Sequence, residues 1–269
     1  VMVALGGGTP KVVHTKESDG FRMSPEAFRA AINPRTKAVV INSPSNPTGA
    51  AYTEKELVKI AEIALENGLL IISDEIYERL SYDGFKVTSI ASLSEEAKKS
   101  TVVLNGVSKT NSMTGWRIGY EAGPKNIIKA MTNIQSQSTS NPTSISQWAA
   151  VEAISGPQTE IDKMVAEFVK RRDSIVAGLN AIDGISCIKP QGAFYVFPNV
   201  SKLFGRKYKG SPIKGSVDLA TYLIDEAGIA VVPGEPFGDD NFIRLSYATS
   251  MDHIVKGVKR IGEAVKELK

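Results

Sequence analysis

The sequence predicts an α/β protein: a large domain on a mostly parallel sheet, residues 1–156, followed by a smaller α+β domain, residues 157–269. Three observations predict it. The runs 38–41, 69–73 and 101–104 are short and almost continuously apolar, as strands covered on both faces are. Helical periodicity fills the space between the first two, giving a strand–helix–strand unit whose crossover is right-handed. After Gly156-Pro157 the pattern changes to one long amphipathic helix, then to short strands and helices in mixed order.

Composition narrows the function classes. The chain has 269 residues, 42% hydrophobic and 23% charged, as ordinary globular proteins have. Net charge is +3, with Lys and Arg scattered among Asp and Glu, and no basic block with interleaved aromatics points to nucleic acid. The single Cys187 excludes an internal disulfide, and with two distant histidines it makes no zinc pattern. No apolar run approaches the roughly 18–20 residues of a membrane span, and residues 1–5 lack the flank and length of a signal peptide. A cytoplasmic protein without a metal is expected. The start at valine reads as an internal point of a longer chain.

Residues 1–5 read as the tail of an apolar element stopped by Gly6-Gly7-Gly8, whose spacing does not meet a dinucleotide fingerprint. A strand is expected at 11–15. Ser24 caps and Pro25 opens a short helix whose Phe28, Ala31 and Ile32 share a face. The strand 37–42 then runs into Asn42-Ser43-Pro44-Ser45-Asn46-Pro47-Thr48-Gly49, a rigid loop at a strand's carboxyl end, where open parallel sheets bind ligands. Thr53-Glu54-Lys55-Glu56 is a capping box, and the apolar positions Leu57, Ile60, Ala61 and Ala64 continue to Asn67-Gly68.

The second strand, 69–73, delivers Asp74-Glu75-Ile76-Tyr77, and the third, 101–104, delivers Asn105-Gly106-Val107-Ser108-Lys109. Taken alone, Asp74 is also what a helix cap looks like, and Ser108-Lys109 what a polar loop looks like. A strand over 117–121 and a helix over 124–134 follow. The polar run 135–146 reads as a linker or as a contact surface. Ile161, Met164, Val165, Phe168, Ile175, Val176 and Leu179 trace one face of the long helix. Strands at 192–197, 229–232 and 242–246, a helix at 218–227 and a last helix striped by Ile254, Val258, Ile261, Val265 and Leu268 complete the chain.

Asn46, Asp74 and Lys109 each follow a different buried strand, so one sheet edge receives all three. A lysine amine in its neutral form attacks aldehydes to give a Schiff base. A carboxylate facing a pyridinium nitrogen keeps that ring protonated and electron-accepting. Asn46 and Tyr77 can hydrogen-bond a phenolic oxygen beside the aldehyde, and Arg117 offers a fork of donors to a phosphate. Pyridoxal phosphate needs these groups.

The motifs also carry a family likeness. Ser43-Pro44-Ser45-Asn46-Pro47-Thr48-Gly49, Ser73-Asp74-Glu75-Ile76-Tyr77, Ser108-Lys109 with Met113-Thr114-Gly115-Trp116-Arg117-Ile118-Gly119-Tyr120, and Phe242-Ile243-Arg244-Leu245-Ser246 resemble, in order and spacing, the class I/II aminotransferases of pyridoxal phosphate fold type I. The forms around Lys109 and over 135–142 are most similar to the bacterial aspartate and aspartate/prephenate branch. The resemblance implies a three-layer large domain and transamination between an L-amino acid, aspartate, and a 2-oxo acid, 2-oxoglutarate. It implies Lys109 as the Schiff-base lysine and proton carrier, Asp74 at the ring nitrogen, Asn46 and Tyr77 at the phenolic oxygen, Arg117 at the phosphate and Arg244 on the substrate α-carboxylate. It also implies a homodimer, with 135–146 part of the contact. A lyase or synthase on the same scaffold has the same residues. A binding fragment without activity and, for want of a glycine fingerprint, a nicotinamide dehydrogenase are the readings from further afield.

The chain departs from the family's pattern at Gly106, where serine is frequent, at Asn111, usually aromatic, and at Glu121, usually small. On this resemblance the family's N-terminal part is absent, with the loop whose backbone N–H groups hold the phosphate and the aromatic that stacks on the ring. Losing two or three donors to a charged group costs about 3–9 kcal/mol, about 10² to 10⁶ in affinity. Weak cofactor binding by these residues alone is therefore expected.

Overall fold

The computed structural model describes residues 2–269. Val1 lies outside the described residues, and the rest of the apolar segment 1–5 is the short helix α1, Met2–Leu5. Next come α2 (Pro25–Ala31), β1 (Ala38–Asn42), α3 (Glu54–Glu66), β2 (Leu70–Asp74), α4 (Glu95–Lys99), β3 (Thr101–Asn105), β4 (Tyr120–Ala122), α5 (Lys125–Ser138) and α6 (Ser144–Ser155). The remainder is α7 (Thr159–Asn180), β5 (Tyr195–Val196), β6 (Lys207–Tyr208), β7 (Ser211–Pro212), α8 (Ser216–Ala227), β8 (Val232–Pro233), β9 (Ile243–Ser246) and α9 (Met251–Glu267).

The first sheet has the order β1-β2-β3-β4, with β1, β2 and β3 parallel and β4 antiparallel to β3. Asn42 pairs with Asp74, and Asp74 with Leu104, so the carboxyl ends of the three parallel strands are level. The capping box forms as the sequence predicts: Thr53 Oγ1 accepts from Glu56 N, and Glu56 Oε2 accepts from Thr53 N at 2.8 Å. From that start α3 buries Leu57, Ile60, Ala61, Ile63 and Ala64 against Ile41, Ile71 and α2. Each fully buried Leu or Ile there contributes about 1.5–3 kcal/mol.

The C-terminal sheet has the order β5-β9-β8, antiparallel throughout. Buried faces of α7, α8 and α9 pack on it, and Tyr77, Leu80 and Tyr82 from the first half of the chain join the same cluster. Arg172, fully buried on α7, is paired with Asp83 and Asp173 and lies over the Tyr82 ring. A smaller aromatic cluster joins Phe21 to Phe197 and Phe242.

Several expectations are corrected. Residues 11–15 form no strand: Val12 is 67% exposed and no neighbouring strand satisfies the backbone. The strand expected at 117–121 begins at Tyr120, because Arg117 lies in the left-handed region at φ 52° and closes a 3₁₀ turn, Thr114–Trp116. Of the two readings of 135–146 the linker is the one corrected, since α5 extends to Ser138 and α6 starts at Ser144. In 192–197 the strand is only Tyr195–Val196, with Gly192 in a single bridge to Ser81, and the strand expected at 229–232 is Val232–Pro233. Helix α4, capped by Ser94, was not expected.

Candidate active site

The level strand ends organise the site. Asn42, last in β1, donates from Nδ2 to Asp74 O at 3.2 Å and accepts from Asn46 N at 2.9 Å through Oδ1. One side chain thus fixes the loop that carries Asn46 against the end of β2. Gly49 in that loop has φ 67°, and its carbonyl accepts from Gln191 N and Gly192 N at 3.0 and 2.9 Å. A Cβ at Gly49 would run into Pro190 Cβ and lie 2.7 Å from Gly192 O, so the loop meets the segment before Tyr195 at backbone distance.

Asp74 is half-buried and accepts one hydrogen bond, from Ile76 N at 3.2 Å. Burial raises its carboxyl above the usual value, against the backbone N–H that lowers it. Among the described residues no ion pair engages it. Its neighbour Glu75 points into the protein instead, where Ser73 Oγ and Ser89 Oγ donate to its Oε1 at 2.8 and 2.7 Å.

Tyr77 is buried, with its hydroxyl 3.1 Å from that of Tyr195. Burial first, and then this contact, raise its phenol well above the ordinary value, so it stays neutral. Arg244 Nη1 donates to Asn46 Oδ1 at 2.8 Å. Its Cζ stands 4.7 Å from the Tyr195 ring centroid and 5.3 Å from that of Phe237. Strand register explains the first of these contacts. Tyr195 pairs with Ser246, and Arg244, two residues earlier on β9, projects from the same face.

Lys109 and Arg117 stand on the loop after β3. Thr114 links its two arms, donating from Oγ1 to Ser108 O at 3.0 Å and accepting from Arg117 Nη1 at 2.9 Å. Lys109 is half-buried, Arg117 is exposed, and no ion pair among the described residues holds either. Gly106 explains one departure from the family's pattern, because a Cβ there would lie 3.1 Å from Gly119 Cα, 3.2 Å from Ile76 Cδ1 and 3.3 Å from Ile118 O. The lysine loop therefore packs directly on the Asp74–Tyr77 turn. Asn111 Nδ2 donates to Ala153 O at 3.2 Å, anchoring the same loop to α6.

The structure joins Asn46 to Arg244 by direct contact and links Tyr77 to Arg244 through Tyr195. Asp74 adjoins Tyr77 in the chain, and its charge acts on the Tyr77 phenol. Lys109 and Arg117 reach the others only through loop packing. Sequence reasoning missed Tyr195 and Phe237, whose only sequence signal was aromatic residues next to glycines, in Gly192-Ala193-Phe194-Tyr195 and Phe237-Gly238.

Comparison with known proteins identifies the family. The family model described as aminotransferase class I and II matches residues 1–261. An aspartate aminotransferase of Geobacillus stearothermophilus is 52% identical over 259 residues, covering 96% of this chain and 65% of that protein. One of Bacillus subtilis (strain 168) is 49% identical over 265 residues, covering 98% of this chain and 66% of that protein. The chain thus spans just under two thirds of these relatives' length. The crystal structure of the aspartate aminotransferase from Rhizobium meliloti superposes with a TM-score of 0.96 at 44% identity, over 100% of this chain and 68% of that one.

Proposed function

We propose, from the premise that this chain belongs to the aminotransferase class I and II family, that the whole protein moves an amino group between aspartate and 2-oxoglutarate with pyridoxal phosphate as cofactor. The observation that carries the reading is Asp74, a half-buried carboxylate at a strand end with one backbone donor and no cation among the described residues. A protonated pyridine nitrogen would supply the missing charge, so the donor set fits the cofactor.

When bound, pyridoxal phosphate supplies an aldehyde for the lysine and a ring that accepts electrons. Lys109 Nζ would hold that aldehyde and, once released, would move the proton from the substrate Cα. Asn46, with Oδ1 committed to Arg244, has Nδ2 for the phenolic oxygen. Tyr77, neutral because buried, remains a donor to the same atom. Arg117 has one Nη engaged by Thr114 O and would offer its other donors to the phosphate. Arg244, stacked on Tyr195, would take the substrate α-carboxylate in a fork.

The names of the relatives favour transamination over a lyase on the same scaffold. The division at 156/157 and a cytoplasmic homodimer belong to the same reading. Exposed apolar side chains on α6, Ile145 at 70% and Trp148 at 75%, support a partner surface there. No helix of the described residues is long and apolar enough to cross a membrane. Burial pushes the Cys187 thiol up to about 12, which suits an inert, reduced cysteine.

Borohydride reduction in the presence of pyridoxal phosphate, followed by peptide mapping, tests the assignment. The expected label is on Lys109, and with aspartate and 2-oxoglutarate the full-length protein yields oxaloacetate and glutamate. Label on another lysine overturns the site, and an unlabelled, folded full-length protein overturns the function.

A further inference from the structure

Tyr195 makes two contacts through one side chain, and the reading above assigns it no role. Its hydroxyl is 3.1 Å from that of Tyr77, with the two rings edge to face and centroids 5.9 Å apart. Its ring carries the Arg244 guanidinium. The backbone before it is held from several sides. The hydroxyls of Tyr82 and Tyr247 both donate to Ala193 O, Ala193 N donates to Leu80 O at 2.9 Å, and Tyr247 N to Phe194 O at 3.0 Å. Ala193 itself has φ 58°, a conformation that costs a non-glycine residue about 1–2 kcal/mol and persists only where the surroundings fix it. Tyr195 therefore stands on a rigid base.

We propose that Tyr195 is a positioning residue for the reaction. Its hydroxyl fixes the Tyr77 phenol and its ring fixes the Arg244 guanidinium, so the donor to the cofactor ring and the clamp on the substrate carboxylate keep one relative arrangement. The proposal rests on the reading above for what Tyr77 and Arg244 bind. It separates two functions chemically, since the phenolic oxygen serves Tyr77 and the aromatic face serves Arg244.

The test compares the full-length protein, loaded with pyridoxal phosphate, with its Tyr195→Phe and Tyr195→Leu variants. The readouts are the dissociation constant of succinate, a non-reacting dicarboxylate, and the pH midpoint of the cofactor's absorption band. Tyr195→Phe removes one oxygen and keeps the ring. Succinate affinity is expected to stay within about twofold, because the cation–π surface remains. The midpoint is expected to rise by about 0.4–1 unit, the size of one neutral hydrogen bond, because Tyr77, whose one proton goes to the cofactor, no longer accepts from Tyr195 and becomes a weaker donor.

Tyr195→Leu removes both features, and succinate binding is expected to weaken about five- to thirty-fold as well. In a Tyr77→Phe background, Tyr195→Phe is expected to leave the midpoint unchanged. Equal effects of the two variants on both readouts, no effect of either, or a Tyr195→Phe shift that survives Tyr77→Phe overturns the proposal. A wild-type protein that forms no cofactor band overturns the functional reading itself, and this proposal with it.

Discussion

Asp74 and Glu75 are adjacent carboxyls, both raised by burial, and their partners give them different uses. Two serine hydroxyls satisfy Glu75, whereas Asp74, level with the ends of β1 and β3, has one backbone N–H. Glu75 is thus a structural group whose charge is a burden. A carboxyl raised above its unfolded value of 4.5 contributes stability below that pH and loses it as the pH rises through the folded value. Urea unfolding between pH 4 and 7 checks this: wild type should lose stability relative to Glu75→Gln as the pH rises, and a constant difference contradicts it. Asp74, Asn46 and Tyr77 stood out in the sequence as candidates because each sits in a short motif after a strand, and Arg244 because of the motif around β9. Tyr195 was hidden because its role comes from partners 118 residues away and across a sheet, and an aromatic in a short strand otherwise means core.

At the scale of elements, what is local in the chain was legible and what depends on partners was not. The capping box of α3 is four consecutive residues, and the structure forms both of its hydrogen bonds. Thr53→Ala should therefore cost about 0.5–2 kcal/mol in denaturant unfolding, while Thr53→Ser costs much less. Helix α4 escaped notice because five residues are too few for a periodicity. The apolar pattern at 11–15 resembled a strand but found no edge to pair with. Strand β4 starts late because the left-handed Arg117 turns the chain first, an event that no apolar count records. The parallel core of the sheet was readable because buried parallel strands are continuously apolar.

At the scale of the molecule, Arg172 ties the two halves of the chain together. Its guanidinium, on α7, meets Asp83 from the first half and Asp173 beside it, with Lys189 on the same two carboxylates. These pairs hold both carboxyls below the usual range, so their contribution is present above about pH 3.8 and is lost as the pH falls through the folded values. The partners are unequal, because Arg172 is fully buried and both aspartates are about half exposed. Asp83→Asn with Asp173→Asn leaves a buried cation unpaired and should cost about 3 kcal/mol or more. Arg172→Met leaves only solvated carboxylates and should cost about 1 kcal/mol. Equal losses in thermal unfolding contradict this asymmetry. The site spans comparable distances along the chain: Arg244 meets Asn46 across 198 residues, and Tyr195 meets Tyr77 across 118. On the ribosome, the first sheet, and with it Asp74 and Lys109, emerges long before the strand that bears Arg244. The contacts that Arg244 makes with Asn46 and Tyr195 therefore form only after β9 has been made, long after the first sheet is complete.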